Sequence, residues 1–105
     1  MPKLSTEAAL HQLSALPLWT FDSLSGAVTR EFVLRDFSIA FEFMRQIAVV
    51  AEQENHHPEW LNIYNKVTIK WTTHDAAGLT EKDIQMSQVC EEIYNRLSFP
   101  TNLGV

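Results

Sequence analysis

The chain of 105 residues is 46% hydrophobic and 20% charged, which is typical of a soluble globular domain. Its length favours a single domain over residues 1–105, with a core large enough to fold without disulfide bonds. Thirteen acidic residues against eight basic ones give a net charge of −5. This balance argues against direct nucleic-acid binding, which depends on a basic surface that neutralises phosphates.

Two features of the sequence predict a cytoplasmic protein. The single cysteine, Cys90, excludes an intramolecular disulfide bond and is typical of a reducing compartment. Residues 1–13 lack the continuous apolar stretch of a signal peptide, and no segment approaches membrane-spanning length. We therefore expect neither secretion nor membrane association.

The first third of the chain predicts a helix followed by a β-hairpin. Ser5 or Thr6 is suited to cap a helix that ends at Pro17. Its apolar residues follow helical spacing and are Ala9, Leu10, Leu13 and Leu16. Strands are then expected over residues 18–22 and 27–34, joined by a turn at Ser25 and Gly26.

The longest predicted helix runs from Phe37 to Glu54. Seven apolar residues recur along it at intervals of three and four, which predicts a face packed on a sheet. They are Phe37, Ala40, Phe41, Met44, Ile47, Ala48 and Ala51. A second apolar line, Ile39, Phe43 and Val50, falls off that face. We interpret this second line as an oligomer interface rather than as scattered exposed hydrophobic residues, because phenylalanine is large and the spacing is helical.

Two further strands and a third helix complete the predicted order. Residues 60–64 alternate in polarity and lead through a turn at residues 65–66 into a strand over residues 67–73. Thr80 and Asp83 have the spacing of a capping box for a last helix that ends before Pro100. The order α-β-β-α-β-β-α predicts an α+β fold with a four-stranded antiparallel sheet and its helices on one face.

The pair His56-His57, followed by Pro58 and Trp60, points most directly to chemistry. A third histidine, His74, closes the same segment. Histidine exchanges protons near neutrality because its unperturbed pKa is about 6.5. Pro58 ends the preceding helix and imposes an extended exit, while the flat tryptophan is suited to cover an aromatic ring. These residues predict a proton-transfer site for a small planar substrate.

Two other interpretations of the histidines are a structural role and a zinc site. Histidines are often hydrogen-bonded structural residues, and adjacent pairs are common. A zinc site is disfavoured because structural zinc usually has four ligands in paired short spacings, and Cys90 lies far along the chain. We therefore predict no metal ligands.

The run from Ala51 to Asp83 resembles the signature of the pterin-4a-carbinolamine dehydratases. That family is also known as the dimerisation cofactor of a hepatocyte homeodomain transcription factor. The matching elements are Glu52, residues 56–60 (HHPEW), Asn62, residues 64–67 (YNKV), Thr73-His74, residues 78–80 (GLT) and Asp83. With an upstream match at residues 35–37, 40 and 43–44, the resemblance extends from about Trp19 to Ile93.

Two positions depart from the family pattern. Asn55 stands where an acidic residue is frequent, and Trp71 stands where a smaller aliphatic residue is expected. We expect neither departure to touch the histidines.

The resemblance implies a hydro-lyase that converts 4a-hydroxytetrahydrobiopterin to quinonoid dihydropterin and water during tetrahydrobiopterin recycling. No metal or organic cofactor is implied. The reaction needs an acid that protonates the departing hydroxyl and a base that takes a proton from a ring nitrogen. By position, His56 and His74 are the expected proton-transfer pair, and His57 is expected to orient or bind the pterin.

The resemblance also assigns candidate substrate-binding residues, namely Glu52, Asn55, Trp60, Thr72, Thr73, Asp75 and Asp83. Glu52 lies four residues before His56, which predicts that it orients that ring. Trp60 is expected to wall the cleft, and Asn55 with the two threonines to bond the pterin edges. Asp83 has two readings, as an active-site residue or only as the capping partner of Thr80.

Partners follow from the same resemblance. It implies a homodimer or homotetramer, which we expect to form through the helix carrying Ile39, Phe43 and Val50. An alternative function is a protein-interaction module that acts as a dimerisation cofactor through this helix. The enzymatic and interaction roles are compatible within one chain.

Overall fold

Three helices and four strands alternate along residues 2–98, the part of the chain that a computed structural model describes. The elements are α1 (Thr6–Leu13), β1 (Thr20–Asp22), β2 (Ala27–Val33), α2 (Phe37–Glu54), β3 (Glu59–Ile63), β4 (Lys66–Trp71) and α3 (Glu81–Ser98). A 3-10 turn, His74–Ala76, lies between β4 and α3. The predicted α-β-β-α-β-β-α order is confirmed. Pro100, the expected stop for the last helix, lies outside the described residues.

The four strands form one antiparallel sheet in the order β1-β2-β4-β3. Val28 pairs with Trp71, and Phe32 pairs with Val67, so these side chains share one face of the sheet. All four are fully buried beneath the helices. The helices therefore cover one face, as predicted, and none of those in residues 2–98 is long and apolar enough to cross a bilayer.

Helix α2 packs on the sheet through a face that shares three residues with the predicted one, namely Ala40, Ile47 and Ala51. Its buried residues are Ala40, Phe43, Ile47 and Ala51. Phe43 is 0% exposed and its ring lies 4.8 Å from that of Phe32 and 5.9 Å from that of Tyr94. The proposed interface line of Ile39, Phe43 and Val50 is therefore wrong, since Phe43 is in the core and the other two residues pack against it.

Phe37 and Phe41, which the sequence pattern predicts in the core, lie on the outer side of α2. Phe37 is 49% exposed and Phe41 is 58% exposed, and their ring centroids lie 6.2 Å apart. Both were placed on the inner face because they share helical spacing with Ala40 and Ile47. The buried face is instead extended toward Phe43, which packs against Phe32 of the sheet and Tyr94 of α3.

The ends of α2 fix where the histidine pair leaves the helix. Asp36 caps the first turn, with its side chain accepting the backbone N–H of Ile39 at 2.9 Å. Asn55 ends the helix in the left-handed conformation, with φ of 51°. The backbone N–H of His56 then bonds the carbonyl of Ala51 at 3.0 Å, as in a Schellman motif. This turn directs the chain away from the helix axis at residue 56.

Candidate active site

His56 is held by a buried carboxylate. Its Nε2 lies 2.6 Å from Oδ1 of Asp83, and its side chain is only 13% exposed. A carboxylate only accepts hydrogen bonds, so Nε2 must carry the donated proton. This hydrogen bond assigns the tautomer of the ring. In the neutral ring, Nε2 carries the proton and Nδ1 carries the lone pair. Asp83 thus fixes which nitrogen of His56 is available for chemistry.

Asp83 joins three parts of the fold. It is fully buried in the first turn of α3. Its Oδ2 accepts the backbone N–H of Thr80 at 2.9 Å and the hydroxyl of Thr73 at 2.7 Å. Thr80 in turn accepts the N–H of Lys82 at 3.3 Å, which completes the predicted capping box. Asp83 therefore makes both contacts, because one oxygen caps α3 and the other holds His56.

His56 also lies against Trp71 at the end of β4. The two rings are stacked, with centroids 5.6 Å apart and planes inclined by 12°. The expectation that Trp71 does not touch the histidines is therefore wrong. Strand alternation places Trp71 on the inner face of the sheet, which is the side on which α2 delivers His56.

His57 pairs with Glu52, at 2.7 Å between Nε2 and Oε1. The sequence predicted that Glu52 orients His56, and this prediction is wrong. Spacing of four residues brings side chains together only while the helix continues, but α2 ends at Glu54. The His57 side chain is 56% exposed and that of Glu52 is 80% exposed, so the pair lies in solvent.

The exposed pair of Glu52 and His57 is expected to contribute little to the rate of the chemical step. We predict that Glu52→Gln changes kcat for the dehydration that the family resemblance implies by no more than about fivefold, and less at high salt, since solvent screens such pairs. A contribution of Glu52 to pterin binding would be seen in KM instead. Steady-state rates at low and high salt would measure this, with Glu7→Gln, a similar change on exposed α1, as the control. A hundredfold loss would show that the carboxylate takes part in the chemistry.

His74 lies in the 3-10 turn after β4, and its side chain is exposed. It lines a groove of about 300 Å³ together with Ser25, Ala27, Glu59, Lys70, Thr72, Thr73, Ala77 and Gly78. This volume is at the lower end of the range for small-ligand sites. The groove has opposite charges on its wall, since Lys70 Nζ lies 3.7 Å from Glu59 Oε2.

Two glycines set the position of this turn. Gly26 has φ of 69°, and a Cβ at that position would lie 2.4 Å from the Cα of Gly78. Any side chain at Gly26 would therefore push the two loops apart. Thr72 adds a link, because its hydroxyl donates to the carbonyl of Gly26 at 3.0 Å.

The structure joins some predicted site residues and separates others. His56, Asp83 and Thr73 form one hydrogen-bonded chain, and Thr73 is the backbone neighbour of His74. Asp75 is exposed in the turn of His74. Trp60 is half-buried on β3, opposite Ile69 and packed against the core. Asn55 is exposed and serves as the left-handed cap of α2.

Two residues of the site were missed by sequence reasoning. Thr80 was assigned only to the helix cap, although its hydroxyl also lies 2.8 Å from that of Thr73. Trp71 was noted only as a departure from the family. Its signal was present in the strand alternation, which points it toward the core below the end of α2. No group of three or more His, Cys, Asp or Glu side chains within residues 2–98 is arranged to hold a metal ion.

Comparisons with known proteins identify the family to which the chain belongs. The family model described as pterin 4 alpha carbinolamine dehydratase matches residues 2–93. A protein of Rhizorhabdus wittichii, provisionally named a pterin-4-alpha-carbinolamine dehydratase, is 44% identical over 90 residues, which cover 86% of this chain and 93% of that protein. A protein of Burkholderia lata with the same provisional name is 47% identical over 85 residues, covering 81% and 83% of the two chains.

The fold has a close counterpart among solved structures. A crystal structure from Brucella melitensis, described as a transcriptional coactivator/pterin dehydratase, superimposes with a TM-score of 0.84 at 41% identity. The match covers 88% of this chain and 98% of that one. The family match and the names of the relatives therefore define a dehydratase, which is a hydro-lyase. The chain belongs to the pterin-4a-carbinolamine dehydratase family.

Proposed function

We propose that the chain dehydrates 4a-hydroxytetrahydrobiopterin to quinonoid dihydropterin, in tetrahydrobiopterin recycling in the cytoplasm, by histidine acid/base catalysis. The observation that carries the proposal is the ring of His56, held at Nε2 by buried Asp83 with Nδ1 left for proton exchange. The matching family and the names of the relatives support the substrate class.

The chemistry requires two proton transfers and no change of oxidation state. The bond between C4a and its hydroxyl oxygen breaks after that oxygen is protonated, and water leaves. A ring nitrogen then loses a proton, so the net change is the loss of one water molecule. Each positioned acid or base typically contributes a rate factor of about 10² to 10⁴.

His56 and His74 are the proposed acid and base. His56 Nδ1 accepts a proton when the ring is neutral and donates one when it is charged. His74 lines the groove and follows in the chain the threonine that bonds Asp83. His57, in solvent with Glu52, is proposed to bind or orient the pterin. Its proposed companions in binding are Glu52, Asn55, Trp60, Thr72, Thr73, Asp75 and Asp83.

The decisive experiment is an assay of the purified protein with freshly generated 4a-hydroxytetrahydropterin. We expect dehydration well above the spontaneous rate, unchanged by prior dialysis against a chelator. The formation of quinonoid dihydropterin is followed by absorbance, with heat-unfolded protein as the blank. A rate equal to the blank would refute the enzymatic proposal, and activity that chelation abolishes would refute the metal-free mechanism.

A second candidate function is that of a protein-interaction module. The Brucella protein is described as a transcriptional coactivator as well as a pterin dehydratase. The feature that supports it here is the outer side of α2, where Phe37 and Phe41 are exposed. With Met44 and Ala48 they repeat at intervals of four and three, as in helices that pack on other helices. We propose that this stripe, and not the line through Phe43, forms a homo-oligomer.

Phe41→Glu tests this stripe. The change is expected to dissociate the oligomer toward smaller species while the fold survives, because it places a charge in the contact but not in the core. Light scattering at micromolar concentration measures the mass, and circular dichroism checks the fold. Leu24→Glu, at a residue that is 97% exposed, is the control. A monomeric wild-type protein would refute the proposal.

A further inference from the structure

Trp71 covers one face of the His56 ring. The ring centroids are 5.6 Å apart and the planes are 12° from parallel. The indole is fully buried as the last residue of β4, and its inner-face neighbour across the sheet is Val28. The imidazole is therefore supported from the core side by a rigid aromatic surface.

Tryptophan at position 71 has a cost in stability that its packing in the core does not explain. Its indole N–H is buried and has no oxygen or nitrogen acceptor among residues 2–98; its neighbour is the sulfur of Cys90, which is a weak acceptor. A buried donor without a partner lowers stability, and leucine or phenylalanine would bury apolar surface here without that donor. Such local violations are expected mainly where a residue serves a site.

Two contacts together define the orientation of His56. The bond to Asp83 fixes the Nε2 edge, but a single hydrogen bond leaves the ring able to tilt about the line joining the two atoms. Stacking on Trp71 removes that tilt because it fixes the plane of the ring. The direction in which Nδ1 points is then set by both contacts.

We propose that Trp71 is a positioning residue for the dehydration, setting the plane of the His56 imidazole and so the direction of proton exchange at Nδ1. The effect of Trp71 on catalysis rests on the proposed function, whereas its effect on the orientation of the His56 ring does not. Misplacing a reacting group by about 1 Å can cost about 10²-fold in rate, so loss of the stack acts on kcat.

Two substitutions separate stacking from core packing. In Trp71→Leu we expect kcat to fall about tenfold with KM within about twofold, because the change affects orientation and not binding. In Trp71→Phe most of kcat is expected to remain, since the phenyl ring keeps a flat face. The matched control is Phe32→Leu, which removes a fully buried aromatic ring on β2 that pairs with Trp19, Phe43 and Tyr94 but with no histidine.

Proton NMR of the His56 ring provides a readout that does not need activity. In the wild-type protein its carbon-bound protons are expected to be shifted upfield by the indole ring current. The shift is expected to disappear in Trp71→Leu, to persist in part in Trp71→Phe and to be unchanged in Phe32→Leu.

The inference is overturned if the wild-type protons show no upfield shift, if Trp71→Leu retains kcat, or if the leucine and phenylalanine variants lose kcat equally. A folded wild-type protein without dehydratase activity would overturn the proposed function, while the proton shifts would still decide whether Trp71 fixes His56.

Discussion

Alanine at His74 is expected to slow dehydration by about 10²-fold or more while the fold stays intact, because it removes a positioned proton donor or acceptor. The exposed side chain makes no hydrogen bond within residues 2–98, so its loss leaves no buried group unpaired. Steady-state kinetics with 4a-hydroxytetrahydropterin measures the rate, and circular dichroism confirms the fold.

His11→Ala is the matched control for that experiment. His11 is the fourth histidine and is exposed in the last turn of α1. Its removal is expected to leave the rate unchanged. If His74→Ala, or a variant lacking His56, His57 and His74 together, works as fast as the wild-type protein, the acid/base mechanism is wrong.

Asp83→Ala is expected to affect stability and rate together. The change leaves the Thr80 N–H, the Thr73 hydroxyl and the His56 ring without their common acceptor. A buried donor left without its acceptor typically costs about 1–3 kcal/mol. We also expect the rate to fall about 10²-fold at temperatures where the variant is folded, because His56 loses its fixed tautomer and orientation.

Urea unfolding and kinetics on the same sample measure both effects. Asp36→Ala is the matched control, since Asp36 caps α2 but bonds no histidine. We expect it to cost about 1 kcal/mol, the usual value of a helix cap, and to leave the rate unchanged. An Asp83→Ala protein with the wild-type rate would reduce Asp83 to a helix cap alone.

The local part of the fold could be predicted from the sequence. Helix α2 was predicted over residues 37–54, where the structure has it, because its stop signals are local. The hairpins were also found from alternation and turn residues. The tighter turn between β3 and β4 falls at Tyr64 and Asn65, one residue earlier than expected, with Tyr64 at φ of 50°.

The local sequence did not determine which residues of α2 face the sheet. Apolar residues cover more than half of the helix surface, so periodicity permits more than one buried face. The choice depends on Phe32 of β2 and Tyr94 of α3, which pack against Phe43 but are distant in the chain. Local pattern carries no information about such contacts.

The candidate site, like the fold, was predictable where its contacts are local in the sequence and not where they are long-range. The histidines and the Thr80–Asp83 cap were recognisable from short spacings. The bond between His56 and Asp83 was not, because it joins the segment after α2 to α3 across 27 positions of the chain. The Glu52 partner was assigned wrongly because helical spacing was extended past the point where Asn55 turns the chain.

The Thr80 N–H gives the site a built-in reporter. This amide donates to the same carboxylate that holds His56, so it exchanges with solvent only when the start of α3 opens. Because Asp83 lies in this first turn, we expect such an opening to release the histidine as well. The protection of one backbone amide against deuterium therefore measures the fraction of time for which the enzyme has an assembled site, even in the absence of substrate.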